Sequence, residues 1–169
     1  MELTVWLGLL ASALFISISP GPGAIFSISQ GTQNGFKRAL IAVVGLQLGL
    51  MSQIVFLLFG LGILIDQFPS VFIVIKIIGM AYLIILGLMQ WLKKIEQIAT
   101  TENQLKGTFS PLKALFQGFF VNLTNIKGTV FFLALIPLFI DLTALKLSTC
   151  LIFISTLIVI DLLVMTGYV

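Results

Sequence analysis

The sequence predicts an all-α, polytopic membrane protein with five transmembrane helices, of which the first and fourth are broken. Of 169 residues, 59% are hydrophobic and 9% are charged, whereas a soluble domain carries about 25% charged residues. A helix rises about 1.5 Å per residue, so about 20 apolar residues cross a hydrocarbon core of about 30 Å. Five stretches satisfy this length: residues 3–29, 39–64, 71–92, 115–140 and 147–169.

The first stretch is interrupted near its middle by prolines and glycines. Residues 19–23 read Ser19-Pro20-Gly21-Pro22-Gly23. Proline lacks a backbone N–H and clashes with the preceding turn, and glycine tolerates strained geometry, so we expect this helix to be broken here. Backbone groups without helical partners cannot face hydrocarbon. The break is therefore predicted to be buried in protein or to line a ligand pathway.

The fourth stretch carries a cluster of polar residues, with Asn122, Asn125 and Lys127 close together. This pattern predicts a second loosened helix. The polar segment 93–114 is interpreted as a cytoplasmic linker between a first half, residues 1–92, and an incomplete second half, residues 115–169, of one transmembrane domain. Because the first span of each half is interrupted, we expect an inverted repeat with a site between the two broken helices.

Three ionisable residues lie within the predicted spans: Lys76, Lys127 and Asp161. Each costs about 2.5 to 3.5 kcal/mol at the bilayer centre without a partner. Lys127 and Asp161 both reach the middle of their spans, where they could form a packing ion pair or a functional site. Lys76 could snorkel to the interface or line a pathway, and Tyr82 could donate into the pathway or anchor the chain at the interface.

The distribution of basic residues predicts the orientation. One side of the predicted spans carries Lys37, Arg38, Lys93, Lys94, Lys106 and Lys113, and the other carries Lys146. The positive-inside rule then places the N-terminus outside. Gly31, Gly35, Gly45 and Gly49 recur at the spacing of close helix packing.

Several classes of function are excluded or disfavoured by composition. The chain has no histidine and a single cysteine, Cys150, so an internal disulfide, the usual zinc sites and histidine proton relays are excluded. No nucleophile and base arrangement stands out, so we do not expect an enzyme or a cofactor. The dispersed basic residues carry no nucleic-acid signature, and the expected surroundings are the lipid bilayer.

The chain resembles the LysE/RhtB family of bacterial amino-acid exporters, inner-membrane proteins with six hydrophobic segments. The resemblance covers nearly the whole chain and rests on Ser19-Pro20-Gly21-Pro22, on residues 76–83 with Lys76, Gly79 and Ala81-Tyr82-Leu83, on Gln117-Gly118-Phe119, on residues 122–127, and on Asp161. It implies export of an amino acid or small derivative of the homoserine, threonine or lysine class. The export would be coupled to an ion gradient, with the proton as the expected ion.

The chain departs from this family pattern in three places. Gly23 stands where asparagine is common, which removes a side-chain ligand. Ile126 stands where the family has proline, which predicts a milder second break. The sequence stops at Val169 without a sixth segment. We therefore expect either a truncated chain or a homo-oligomer whose other copy supplies the missing surface. The alternative function is a non-transporting remnant or structural membrane subunit.

Roles can be assigned to the predicted site residues. The N–H groups around Gly21 and Gly23 begin a half-helix and suit a carboxylate, to which Lys127 adds attraction. Asp161 is expected to bind an ammonium group or to exchange a proton. Ser19, Asn122 and Asn125 are expected to supply neutral hydrogen bonds.

Overall fold

The computed structural model describes residues 2–68, 109–142 and 144–169, together with single helical positions between residues 70 and 88. Over the three continuous ranges it forms six helices and no strand: α1 (Leu3–Ile18), α2 (Pro22–Asn34), α3 (Phe36–Gln67), α4 (Pro111–Leu123), α5 (Ile126–Phe139) and α6 (Leu147–Gly167). The all-α prediction is confirmed. Most of the predicted third span and linker, with Lys76 and Tyr82, lies outside the described residues.

Two of the predicted spans are bent pairs of helices. α1 and α2 meet at 55°, and α4 and α5 meet at 52°. In the described part of the chain, α3 and α6 are each long and apolar enough to cross a membrane alone, and the two pairs raise the number of possible spans to four. The breaks predicted in the first and fourth spans are confirmed. Each bent pair is followed by one long helix, as a repeat requires, although the inverted relation of the halves stays a prediction.

The milder second break predicted from Ile126 is wrong, because the two bends differ by only 3° (55° and 52°). The side chain of Asn125 explains the outcome. Its oxygen accepts a hydrogen bond from the N–H of Gly128 at 3.3 Å, so asparagine caps α5 and starts a new helix direction. An N-cap fixes a helix start without proline at the next position.

α3 and α4 pack with their backbones in contact. A Cβ atom added at Gly45, Gly49 or Gly118 would overlap a carbonyl oxygen of the facing helix, those of Leu115, Phe119 and Ala42 respectively. The predicted close packing at Gly45 and Gly49 is confirmed. Gly31 is also a close approach, since a Cβ there would overlap the carbonyl oxygen of Val169.

Gly35 does not have the role that its spacing from the other glycines predicts, which is close packing against another helix. A Cβ at this position would meet no atom within 4 Å in the part of the chain that the structure describes, and the residue has a φ of 77°. This left-handed conformation is readily adopted by glycine and rarely by other residues. Gly35 therefore allows the chain to turn between α2 and α3, and the packing prediction for it is wrong.

The hydrophobic core lies along α3, and side chains from the other helices pack against it. Its largest fully buried side chains include Leu9 of α1, Leu46 and Ile54 of α3, Ile136 of α5 and Phe153 of α6. At one end, the indole N–H of Trp6 donates to the hydroxyl of Thr156 at 3.1 Å. α1 and α6 are thereby joined at a point remote from the breaks.

The close contact between α3 and α4 predicts that a methyl group added at this contact lowers the stability of the protein. Gly118→Ala would force the two backbones apart, and overpacking of this kind costs about 1–3 kcal/mol of unfolding free energy. Gly60→Ala is the matched control, because a Cβ there meets no atom of the described residues within 4 Å, and alanine favours a helix interior by about 0.5–1 kcal/mol. Thermal unfolding in detergent should show a lower Tm for Gly118→Ala only. Equal Tm values for both variants would contradict this packing.

Candidate functional site

The two helix breaks meet at a cavity of about 50 Å³. It is lined by Ile16, Ser17, Ser19, Gly21, Gly23, Ala24, Leu50, Asn122, Asn125, Lys127, Gly128, Phe132, Leu157, Asp161 and Met165. Because a water needs about 10–15 Å³ of such volume, the cavity has room for about three to five waters. Most of the predicted site residues in the described part of the chain are therefore brought together, with Pro20 and Pro22 in the break beside them.

The prolines of the first break leave two carbonyl oxygens without helical donors. In a continuous α-helix the carbonyl of each residue accepts from the N–H four residues later. For Ile16 and Ile18 those residues are Pro20 and Pro22, and proline has no N–H to give. A buried carbonyl left unpaired costs about 1–3 kcal/mol. The sequence thus creates a need for two donors from elsewhere.

Both donors come from the second half of the chain. The ammonium group of Lys127 donates to the carbonyl of Ile16 at 3.3 Å and to the carbonyl of Ser19. The hydroxyl of Tyr168 donates to the carbonyl of Ile18 at 2.7 Å. Side chains distant in sequence therefore complete the hydrogen bonding of the first break.

The start of α2 presents free N–H groups to the cavity. Gly21 is the N-cap in an extended conformation and provides no side chain, and the first helical bond runs from the N–H of Ile25 to the carbonyl of Gly21 at 3.0 Å. Gly23 and Ala24 precede that bond and line the cavity. Orphan N–H groups at a helix start carry partial positive charge and form a favourable environment for an anion.

The second break is closed by a buried glutamine from α3. Gln53 is 4% exposed, and its amide nitrogen donates to the carbonyl of Asn125 at 3.2 Å and the hydroxyl of Thr129 at 2.6 Å. Asn122 donates to the carbonyl of Leu46 at 2.9 Å. The two asparagines thus line the cavity while their hydrogen bonds hold its wall together.

Asp161 is held by two donors from two other helices. Its carboxylate accepts from the hydroxyl of Ser17 at 3.2 Å and from the amide nitrogen of Gln47 at 2.9 Å. Lys127 lines the same cavity and attracts Asp161 electrostatically, while its own hydrogen bonds go to the first break. One positive and one negative group therefore face a common space.

Sequence reasoning missed Gln47 and Gln53 as parts of this site. Both glutamines lie within an otherwise apolar stretch of α3 and are buried. Uncharged polar residues inside a predicted span were a usable signal, because a buried amide needs hydrogen-bond partners.

Comparisons with known proteins show which proteins this chain is similar to. The family model described as LysE type translocator matches residues 14–169. A membrane protein of Vibrio cholerae is 39% identical over 168 residues, covering 99% of this chain and 80% of that protein. The homoserine/homoserine lactone efflux protein of Salmonella typhimurium is 38% identical, covering 96% of this chain and 78% of that protein.

A more distant relative is the leucine efflux protein of Klebsiella pneumoniae, which is 30% identical over 142 residues, or 82% of this chain and 65% of that protein. No solved structure matches the chain. The family match covers most of the sequence, including both helix breaks and Asp161. This chain belongs to the LysE type translocator family.

Proposed function

We propose that this chain exports a small neutral amino acid or derivative from the bacterial cytoplasm by alternating access. The observation that carries the proposal is the meeting of two broken helices around a cavity whose described lining includes Lys127 and Asp161. Broken helices that meet at a shared site are typical of secondary transporters. Relatives named for efflux of homoserine and of leucine support the substrate class.

The proposed ligand is a zwitterion bound at both of its ends. Its carboxylate approaches Lys127 and the free N–H groups of Gly23 and Ala24, and its ammonium group approaches Asp161. The carboxylate at a helix start gains from the partial charge there. The apolar side chains of Leu50 and Leu157 also line the cavity and provide contacts for the substrate side chain.

Charge balance favours a neutral amino acid over a basic one. Among the described residues, the cavity lining contributes one lysine and one aspartate, Lys127 and Asp161, which a zwitterion matches. Lysine as substrate would bring a second positive group into the site, and an uncompensated buried charge is strongly unfavourable. We therefore favour homoserine or threonine within the class that the sequence indicates.

Transport requires a conformational change from the described state. Room for about three to five waters is too little for an amino acid, so the cavity must widen before a substrate can bind. Opening would move the half-helices α2 and α5 relative to α3 and α6. The orientation predicted by the basic residues places the N-terminus outside and the loading side in the cytoplasm.

Export would be coupled to the proton gradient because a proton and the substrate compete for the carboxylate of Asp161. A proton and the substrate ammonium cannot both occupy Asp161, so protonation from outside would release the substrate there. Deprotonation inside would restore the site for another substrate. This exchange makes the proposed transporter a proton antiporter.

An efflux measurement in preloaded cells tests the function. Cells that express the full chain should lose labelled homoserine faster than cells with an empty vector, and labelled lysine should leave both at the same rate. Collapse of the proton gradient should remove the difference for homoserine. If the chain reaches the membrane and no amino acid leaves faster, the proposal is wrong and a structural membrane subunit becomes the better interpretation.

A further inference from the structure

The contacts of the last turn of α6 point to a residue that controls the geometry of the first break. Tyr168 is half-buried and is absent from the described cavity lining. Its hydroxyl donates to the carbonyl of Ile18 at 2.7 Å, the carbonyl that Pro22 leaves without a helical donor. The bond therefore joins the end of α1 to α6 outside the space that a substrate would occupy.

Lys127 and Tyr168 differ in what a substrate would do to their bonds. A carboxylate entering the cavity would compete for the ammonium group of Lys127, because a charge-assisted hydrogen bond is stronger than one to a neutral carbonyl. The carbonyls of Ile16 and Ser19 would then lose this donor. The neutral hydroxyl of Tyr168 lies outside the cavity and keeps its bond to Ile18.

The hydrogen bond from Tyr168 to Ile18 connects the first break to the helix that carries Asp161. Tyr168 follows Asp161 by about two helical turns on the same helix. The neighbouring Met165 packs near Gly23, where an added Cβ would lie 3.6 Å from the methionine sulfur. The Tyr168 bond thus holds the end of α1 on the helix that carries Asp161, and the start of α2 follows this end by four residues. The start of α2 and Asp161 are the two places where the ends of a zwitterion would bind.

We infer that Tyr168 is a positioning residue that sets the separation between the carboxylate-binding and ammonium-binding parts of the site. This inference rests on the proposed function and adds a residue to it. Lys127 exchanges its partners during transport, whereas Tyr168 keeps the break attached to α6. Loss of the hydroxyl leaves the charges in place but weakens their alignment with the substrate.

Tyr168→Phe, which removes only the hydroxyl, tests the inference. The KM for homoserine efflux should rise roughly three- to tenfold, as expected for one hydrogen bond, with little change in maximal rate because binding in all states is weakened. Thr156→Val is the matched control, since it removes a hydroxyl from the other α1–α6 contact, with Trp6. It should leave KM unchanged. A wild-type KM in Tyr168→Phe, or an equal rise in Thr156→Val, would overturn the inference.

Hydrogen exchange gives a readout that does not depend on transport. Amides of residues 23–26 should exchange faster in purified Tyr168→Phe than in wild type or Thr156→Val, because the break is less restrained. If wild type exports nothing and this difference appears, the proposed function fails while the positioning of the break stands. If the exchange rates are equal in all three proteins, Tyr168 does not position the break.

Discussion

Asp161→Asn is expected to reduce energised homoserine export to the background of cells without the chain. Asparagine keeps the size of the side chain but cannot carry a proton or pair with an ammonium group. A charge at the bilayer centre costs about 2.5 to 3.5 kcal/mol, so its removal should not impair insertion. Export measured in preloaded cells, with the amount of inserted protein quantified in the same membranes, checks the prediction.

Asp141→Asn provides the matched control for Asp161→Asn. Asp141 is exposed, follows α5 and accepts a hydrogen bond from the N–H of Ala144 at 3.3 Å. Its substitution by asparagine is the same chemical change at a position outside the cavity lining. Its export should equal that of wild type. Unchanged export by Asp161→Asn would remove this carboxylate from the mechanism.

Lys127→Met is expected to abolish export with little change in stability. Two opposing effects act on folding. Loss of the donor to the carbonyl of Ile16 costs about 1–3 kcal/mol when that group is buried. Removal of the intramembrane charge offsets this by about 2.5 to 3.5 kcal/mol. The contributions are similar in size, so the Tm in detergent should move little although the carboxylate partner of the substrate is gone.

Lys146→Met is the control for the loss of a lysine. Lys146 is exposed and forms the N-cap position of α6 without a side-chain cap bond. It should retain both export and Tm. Wild-type export by Lys127→Met would show that the ammonium group is not needed for the substrate, and a collapsed Tm would show that its role in the break dominates.

The broken helices could be predicted from sequence because proline and glycine act locally. Pro20 and Pro22 remove specific N–H groups wherever they occur in a helix, so the position of the first break follows from the chain itself. The cap of the second break was also readable, since asparagine is among the favoured N-cap residues. The expectation from Ile126 failed because it considered only the missing proline and not the cap at Asn125.

The donors that complete the breaks could not be located in this way. Tyr168 and Ile18 are 150 positions apart, Gln47 and Asp161 are 114 apart, and Gln53 and Asn125 are 72 apart. Hydrophobic periodicity predicts which segments are helices but does not specify which helices become neighbours. The need for donors is therefore present in the sequence, whereas their identity depends on tertiary packing.

Equilibrium binding of labelled homoserine to the purified full chain tests the cavity as the substrate site most directly. Wild type and Lys146→Met should bind with equal affinity, and Asp161→Asn and Lys127→Met should each bind at least about tenfold more weakly, as for loss of a charged hydrogen bond. Equal affinity in all four proteins would contradict binding of the substrate between the two broken helices.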